Sequence, residues 1–173
     1  PPTDLGVMAS SFSVVIPLYN KASTIARTIA SVKDQTLPPR EIIVVDDGSA
    51  DASVEVVAGI QAEGLRLIRQ ENRGESGARN RGIEESSGSH LAFLDADDTW
   101  EPHFLATIQA LIHDFPEAGL YATAYQTRAG TEVLRFAGYP TLGSGPFRGL
   151  LPDYFRFMTG GPICILPSGC CVP

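Results

Sequence analysis

The chain has 173 residues, 43% of them hydrophobic and 19% charged, enough for one domain with a sizeable core and too apolar for general disorder. Thirteen Lys+Arg against twenty Asp+Glu leave a net charge of −7, a poor balance for sequence-independent nucleic-acid binding, which depends on basic side chains neutralising phosphates. The longest purely aliphatic run, 42–45, is far short of the ~20 apolar residues a membrane helix requires, and no basic stretch followed by an apolar one opens the chain as a secretory signal would.

Residues 1–11 are a polar tail with two prolines. A β-rich run over 12–16 stops at Pro17. Over 21–35, Ile25, Ile29 and Val32 recur at i, i+4 and i+7, one apolar helix stripe, with Asn20 where an N-cap belongs. Pro38 and Pro39 end that unit. The run 41–45 (EIIVV) is apolar without alternation, as expected of a strand covered on both faces. Val54, Val57 and Ala58 mark a second amphipathic helix over 50–62, and Leu65, Leu67 and Ile68 a third strand. A helix with small residues at its start is expected over 74–85, and a fourth strand over 90–94. The clearest helix covers 101–115, where Leu105, Ile108, Leu111, Ile112 and Phe115 share a face, Thr99 is placed as N-cap and Pro102 falls in the first turn. Residues 120–127 read as a fifth strand.

Strand and helix alternate throughout, which predicts an α/β fold: a mostly parallel, doubly wound sheet with helices on both faces. After Gly130 the pattern changes. A short strand is expected over 131–136, a glycine- and proline-rich loop over 138–149 and a short aromatic helix over 151–158. The end is apolar and cysteine-rich, with no cap or polar tail, and reads as a domain cut short on its C-terminal side. Cys164, Cys170 and Cys171 are an odd count with neither a disulfide framework nor a zinc pattern, and read as small buried thiols of a reducing compartment.

Ligands of open α/β sheets bind at the carboxyl ends of the strands. The first strand runs into Pro17-Leu18-Tyr19-Asn20, the second into Asp46-Asp47-Gly48-Ser49, the third into Glu71-Asn72-Arg73-Gly74 and the fourth into Asp95-Ala96-Asp97-Asp98. One edge therefore gathers five carboxylates from the second and fourth strand ends, which require a cation or a set of donors to offset their repulsion. Asp95 and Asp97, two apart at a strand end, suit a shared divalent ion. Oxygen ligands without Cys or His select Mg²⁺ or Mn²⁺, which keeps waters and takes further ligands from phosphates. The competing reading has Asp97 or Asp98 capping the next helix. A strand-to-helix turn accounts for Gly48 and one Asp but not for the second. A carboxylate there can accept from a nucleobase N–H or a ribose hydroxyl, and Tyr19 offers a face for a base. Arg79 either reaches a diphosphate or locks the acidic loops. His90, His103 and His113 are not spaced as metal ligands and read as surface or capping residues, and Trp100 reads as packing over the last helix.

These four loops, in this order, resemble the family 2 glycosyltransferases of the GT-A fold. The matching text is SVVIPLYNKASTIARTIASVKDQT, EIIVVDDGSADAS and ENRGESGARNRGIEESSGSHLAFLDADD, spanning about residues 13–115. The resemblance implies a nucleotide-sugar-binding domain over 12–130 and the start of an acceptor-side region over 131–173. It implies that Pro17, Tyr19 and Asn20 line a nucleotide pocket, that Asp46 or Asp47, with Gly48, contacts base or ribose, and that Arg79 shapes the diphosphate side. Asp95, with Ala96, lies towards the ribose, and Asp97 is the direct ligand of Mn²⁺ or Mg²⁺. The implied reaction moves a sugar from a nucleotide-diphosphate donor to a hydroxyl acceptor with inversion. The acceptor is a glycan, a lipid-linked intermediate or a protein, in surface glycan or polysaccharide synthesis on the cytoplasmic side of a membrane. Such enzymes carry a general base in a later acidic segment. Asp153 is the sole carboxylate after Glu132 and its setting does not match. The base is therefore expected beyond Pro173, and these residues alone are expected to be weakly active or inactive. The alternative is a nucleotide-sugar-binding module without catalysis. A receiver domain would carry its acidic pair after the first strand, and a dinucleotide-dependent dehydrogenase or a nucleotidyltransferase a glycine-rich loop there, where this chain has PLYN.

Overall fold

The computed structural model describes residues 10–129, 132–135, 148–149 and 167–173. In chain order these form β1 (Phe12–Leu18), α1 (Ile25–Lys33), β2 (Glu41–Asp46), α2 (Ser53–Ala58), β3 (Leu65–Arg69), α3 (Gly74–Glu84), β4 (His90–Phe93), α4 (Phe104–Asp114), β5 (Tyr121–Ala122), β6 (Gln126–Ala129), β7 (Glu132–Arg135) and β8 (Cys170–Val172). A six-stranded sheet runs β3-β2-β1-β4-β8-β5, and β6 and β7 form a separate antiparallel pair.

The parallel core β3-β2-β1-β4 is the doubly wound arrangement expected from the alternating pattern. Side chains alternate across it. Val14, Ile16, Leu18, Ile42 and Val44 pack with Ile25, Ile29 and Val32 of α1, Val57 of α2, and Leu105 and Ile108 of α4. Ile43 and Val45 face the other way, onto Ala78 of α3. Both faces are dry, which is why EIIVV shows no alternation. The helix α3 comes unusually close to the sheet: a Cβ on Gly82 would stand 2.3 Å from Val15 Cγ1.

Several boundaries differ from the sequence expectation. The first strand continues through Pro17 to Leu18, pairing Pro17 with Val45 and Leu18 with Asp46. The β1–β4 ladder ends at Val15 opposite Phe93, so the proline, with no N–H to give, stands past the last residue paired on that side. Helix α1 begins at Ile25, not at 21, and Asn20 does not cap it. Helix α2 is only six residues, because the chain turns at Gly59 and Ile60 and again at Gly64, whose φ is +71°. Helix α4 begins at Phe104. Thr99 and Pro102 lie before it, since the Pro102 carbonyl accepts from Thr36 N and the Glu101 carbonyl from Gln35 Nε2, tying this segment to the end of α1. Neither Asp97 nor Asp98 caps α4, whose N-cap position is His103.

The stretch 120–127 is not one strand. β5 and the start of β6 fall within it as separate elements, and β7 occupies most of the strand expected over 131–136. The largest departure is β8. It inserts antiparallel between β4 and β5, pairing Cys171 with both Ala92 and Tyr121, and makes the sheet mixed. Cys171 is fully buried there and Cys170 half-buried, while Cys164 lies outside the described residues. Outside them too lie residues 1–9 of the expected tail, most of the loop 138–149 and the helix expected over 151–158. No helix among the described residues is long and apolar enough to cross a membrane.

Candidate functional site

Parallel pairing in register brings the carboxyl ends of β1, β2 and β4 to one edge of the sheet. The loops leaving them, with the start of α3, enclose a cavity of about 460 Å³. Pro17, Leu18, Tyr19 and Lys21 line it from β1, Asp47 from β2, Asn72, Gly74, Glu75 and Ala78 from α3 and its approach, and Asp95, Ala96 and Asp97 from β4. Tyr19 is 50% exposed and presents a free aromatic surface.

The two neighbouring carboxylates after β2 have different surroundings. Asp46 is fully buried. Its Oδ1 accepts from Ser49 N at 3.2 Å, and its Oδ2 lies 3.6 Å from Arg69 Nε without a hydrogen bond. Asp46 closes the turn. Asp47 lines the cavity, with Oδ1 accepting from Gln70 Nε2 at 2.7 Å and Arg73 N at 2.8 Å. Gly48 has φ +77°, and a Cβ there would stand 3.2 Å from Asn72 N. Only glycine lets this turn pass so close to the loop before α3.

Asn20 stands behind the lining. In the left-handed region, at φ +51°, it accepts from Ala50 N at 2.8 Å and Asp51 N at 3.3 Å through Oδ1 and donates its own N–H to Ser49 Oγ. It therefore joins the loop after β1 to the loop after β2. Arg79 also stands behind the lining: its Nη2 donates to Asp95 Oδ1 at 2.6 Å and to Glu75, while its Nε is buried without a partner. The structure thus ties Arg79 to the acidic loop.

That loop is gripped from several sides. The Ala96 carbonyl accepts from the Thr24 hydroxyl at 2.9 Å, the Thr28 hydroxyl lies 2.9 Å from both the Ala96 and Asp98 carbonyls and shares its one proton between them, and the Asp97 carbonyl accepts from Arg27. Asp95 N donates to the buried Ser168 Oγ at 2.9 Å, and the Ser168 carbonyl accepts from Trp100 Nε1. Trp100 is buried and stacks on Phe104 at 4.2 Å, so it is a packing residue, as the sequence suggested. The Asp97 carboxylate, 46% exposed, receives the Lys21 ammonium at 2.5 Å. That hydrogen bond, then the charge of Asp97, holds Lys21 above the usual lysine range against a smaller effect of burial, with Asp95 and Asp98 adding to it.

The sequence reading missed Lys21, although it directly follows PLYN and is a nearby cation for an edge rich in carboxylates. It missed Ser168, which has no local signal because it lies 73 residues from Asp95. Thr24 and Thr28 left a trace as hydroxyls at i, i+4 beside the apolar stripe of α1. His90 is half-buried at the opposite end of β4, between the rings of Phe12 and Tyr121, and burial lowers its pKa. Among the described residues no group of three or more His, Cys, Asp or Glu side chains could hold a metal ion.

The family model described as "Glycosyl transferase family 2" matches residues 13–161. The uncharacterized glycosyltransferase YibD of Escherichia coli is 43% identical over 105 residues, 59% of this chain and 30% of its own length. The amylovoran biosynthesis glycosyltransferase AmsB of Erwinia amylovora is 40% identical over 107 residues, 59% of this chain and 36% of its own. The chain thus spans about a third of the length of these two relatives. Among solved structures, S. aureus TarS 1–349 in complex with UDP-GlcNAc superposes with a TM-score of 0.61 at 25% identity, over 70% of this chain and 37% of that one.

Proposed function

The chain belongs to glycosyl transferase family 2, and on that premise we propose that its cavity takes the nucleoside diphosphate of a nucleotide-sugar donor. The protein of which these residues are part transfers the sugar, with inversion, to a hydroxyl acceptor in surface glycan or polysaccharide synthesis. It works on the cytoplasmic side, where nucleotide sugars are made. The observation that carries this is the convergence of a half-exposed tyrosine ring, a fixed carboxylate and a two-carboxylate loop on one cavity. The TarS complexes with UDP and UDP-GlcNAc support the donor class, and the amylovoran biosynthesis in the name of AmsB supports the product class.

In this reading the base stacks on Tyr19 beside Pro17. Asp47, oriented by Gln70 and the Arg73 N–H, accepts from the base or the ribose. Asp95, held by Arg79 and Ser168, faces the ribose next to Ala96. Asn20, Asp46 and Gly48 shape the loops and do not touch the donor. Asp97 holds the divalent ion, Mn²⁺ or Mg²⁺. The fit rests on two features: Asp97 is an exposed oxygen donor at the cavity, and a cation, the Lys21 ammonium, is already stable against it. Such an ion stabilises the charge that gathers on a departing diphosphate.

The acceptor hydroxyl needs a general base. Among the described residues, each carboxylate lining the cavity is already engaged: Asp47 by Gln70 and Arg73, Glu75 and Asp95 by Arg79, Asp97 by Lys21. The carboxylates on the described lining are thus held in other roles, and we place the base outside the described residues. The same engagement favours a second reading for these 173 residues alone, donor binding with little or no transfer.

Calorimetric titration with UDP, with and without Mn²⁺, tests the assignment. Binding that requires Mn²⁺ and disappears in Asp97→Ala is expected. Failure to bind UDP, GDP, CDP or dTDP in the presence of Mn²⁺ would refute it. Robust sugar transfer by the 173 residues would refute that second reading.

A further inference from the structure

Among the described residues lining the cavity, Lys21 alone is positively charged. Its backbone is pinned: Lys21 N donates to Ser53 Oγ at 2.8 Å, and its carbonyl accepts from Thr24 N and Ile25 N, each at 3.0 Å. The ammonium is thus a charge on a short tether from a fixed point, and it reaches Asp97 Oδ2 at 2.5 Å. The Arg79 guanidinium already occupies Asp95. Asp97 is therefore the carboxylate of the acidic pair on which a small cation can be exchanged, and Lys21 stands on it.

We propose that Lys21 is a tethered competitor for the divalent cation at Asp97, neutralising the acidic loop when no donor is bound and making tight metal binding conditional on the donor's diphosphate. This rests on the donor and metal assignments above. An ion arriving at the nucleotide-free cavity must displace the ammonium or sit beside it, and either course weakens its binding. A diphosphate brings negative charge that offsets the ammonium, so the penalty falls once the nucleotide is present. By linkage, the factor by which nucleotide tightens metal binding equals the factor by which metal tightens nucleotide binding, and part of that factor is due to Lys21.

Mn²⁺ affinity, measured by electron paramagnetic resonance with no nucleotide and again with saturating UDP, tests this in the wild type and in Lys21→Met, Lys21→Arg and Asp97→Asn. Lys21→Met keeps most of the apolar stem and removes the charge. It should tighten nucleotide-free Mn²⁺ binding on the order of tenfold, as expected for removing a unit charge several Å from a divalent ion in a wet site. It should change the UDP-bound affinity less, so the coupling factor shrinks. Lys21→Arg should stay near the wild type. Unchanged or weaker nucleotide-free binding in Lys21→Met, with Asp97→Asn still abolishing binding, overturns the role of Lys21 and leaves the metal assignment standing. Binding that Asp97→Asn leaves unaltered, or no Mn²⁺ binding in any variant with or without UDP, overturns the metal assignment and this proposal together.

Discussion

Replacing Gly82 by alanine sets two effects of opposite sign against each other. Gly82 lies inside α3, where alanine is favoured over glycine by about 1 kcal/mol. The new Cβ, however, would stand 2.3 Å from Val15 Cγ1, 3.1 Å from Cγ2 and 3.3 Å from Cβ. Val15 is fully buried in β1, with β2 on one side and β4 on the other. A β-branched side chain has few rotamers with which to retreat. Restoring a contact of about 3.5 Å requires α3 to move out by roughly 1.2 Å. That shift opens the packing of Ala78 on Ile43 and Val45 and pulls Arg79 away from Asp95. Overpacking of this kind costs up to about 3 kcal/mol, so steric overlap outweighs helix propensity and the variant loses about 2 kcal/mol. Urea denaturation followed by the fluorescence of buried Trp100 measures this, and calorimetry should show Tm falling by roughly 4–8 °C for a chain of this size. UDP affinity should fall as well, since Arg79 is displaced. A Gly82→Ala protein as stable as the wild type, or more stable, would refute the argument that α3 must approach β1 this closely.

Ser168→Ala should cost about 1 kcal/mol, because the Asp95 N–H loses its partner in a partly buried setting. Amide exchange at Asp95 should accelerate, and unchanged protection there would show that Ser168 does not hold the loop. Glu41 provides a pH prediction. Its burial alone would raise the carboxyl, but hydrogen bonds from the Ser87 hydroxyl and amide, the Ser13 hydroxyl and Arg66 together hold it below the ordinary glutamate value. A lowered folded pKa stabilises above the unfolded value, near ~4.3, and that contribution is lost as pH falls through the folded one. Glu41→Gln should therefore be about 1–3 kcal/mol less stable at neutral pH, with the gap closing in acid. A difference independent of pH would contradict this. Burial pushes the Cys171 thiol up to about 12, with Cys170 adding to it. Iodoacetamide at mildly alkaline pH should label Cys171 in denaturant but not in the folded protein, as read by peptide mass spectrometry.

The fold was legible wherever the pattern was local. EIIVV had to be a strand covered on both faces, and the stripe Ile25, Ile29, Val32 had to be a helix packed on one side. A parallel sheet of such units brings the strand ends, with PLYN, DDGS and DAD, to one edge, so the neighbourhood of the site was readable in the chain. Helix starts were less legible. Asn20 has the chemistry of an N-cap, yet its side chain bonds the loop after β2, a choice made by a segment 30 residues away. Pro102 suits a first turn, yet its carbonyl is taken by Thr36.

Local pattern alone thus determined the α/β class, the sheet edge that carries the candidate site and the residue types gathered there. Tertiary structure decided which groups face the cavity and which hold them. Adjacent residues at a strand end point to opposite sides, so only the packed sheet could separate turn-closing Asp46 from cavity-lining Asp47, both of them buried. The pairing of β8 with β4, the support of Asp95 by Ser168 and the pairing of Lys21 with Asp97 each join residues more than 70 positions apart. Such contacts leave no periodicity behind, because the sequence between them sets neither their distance nor their direction.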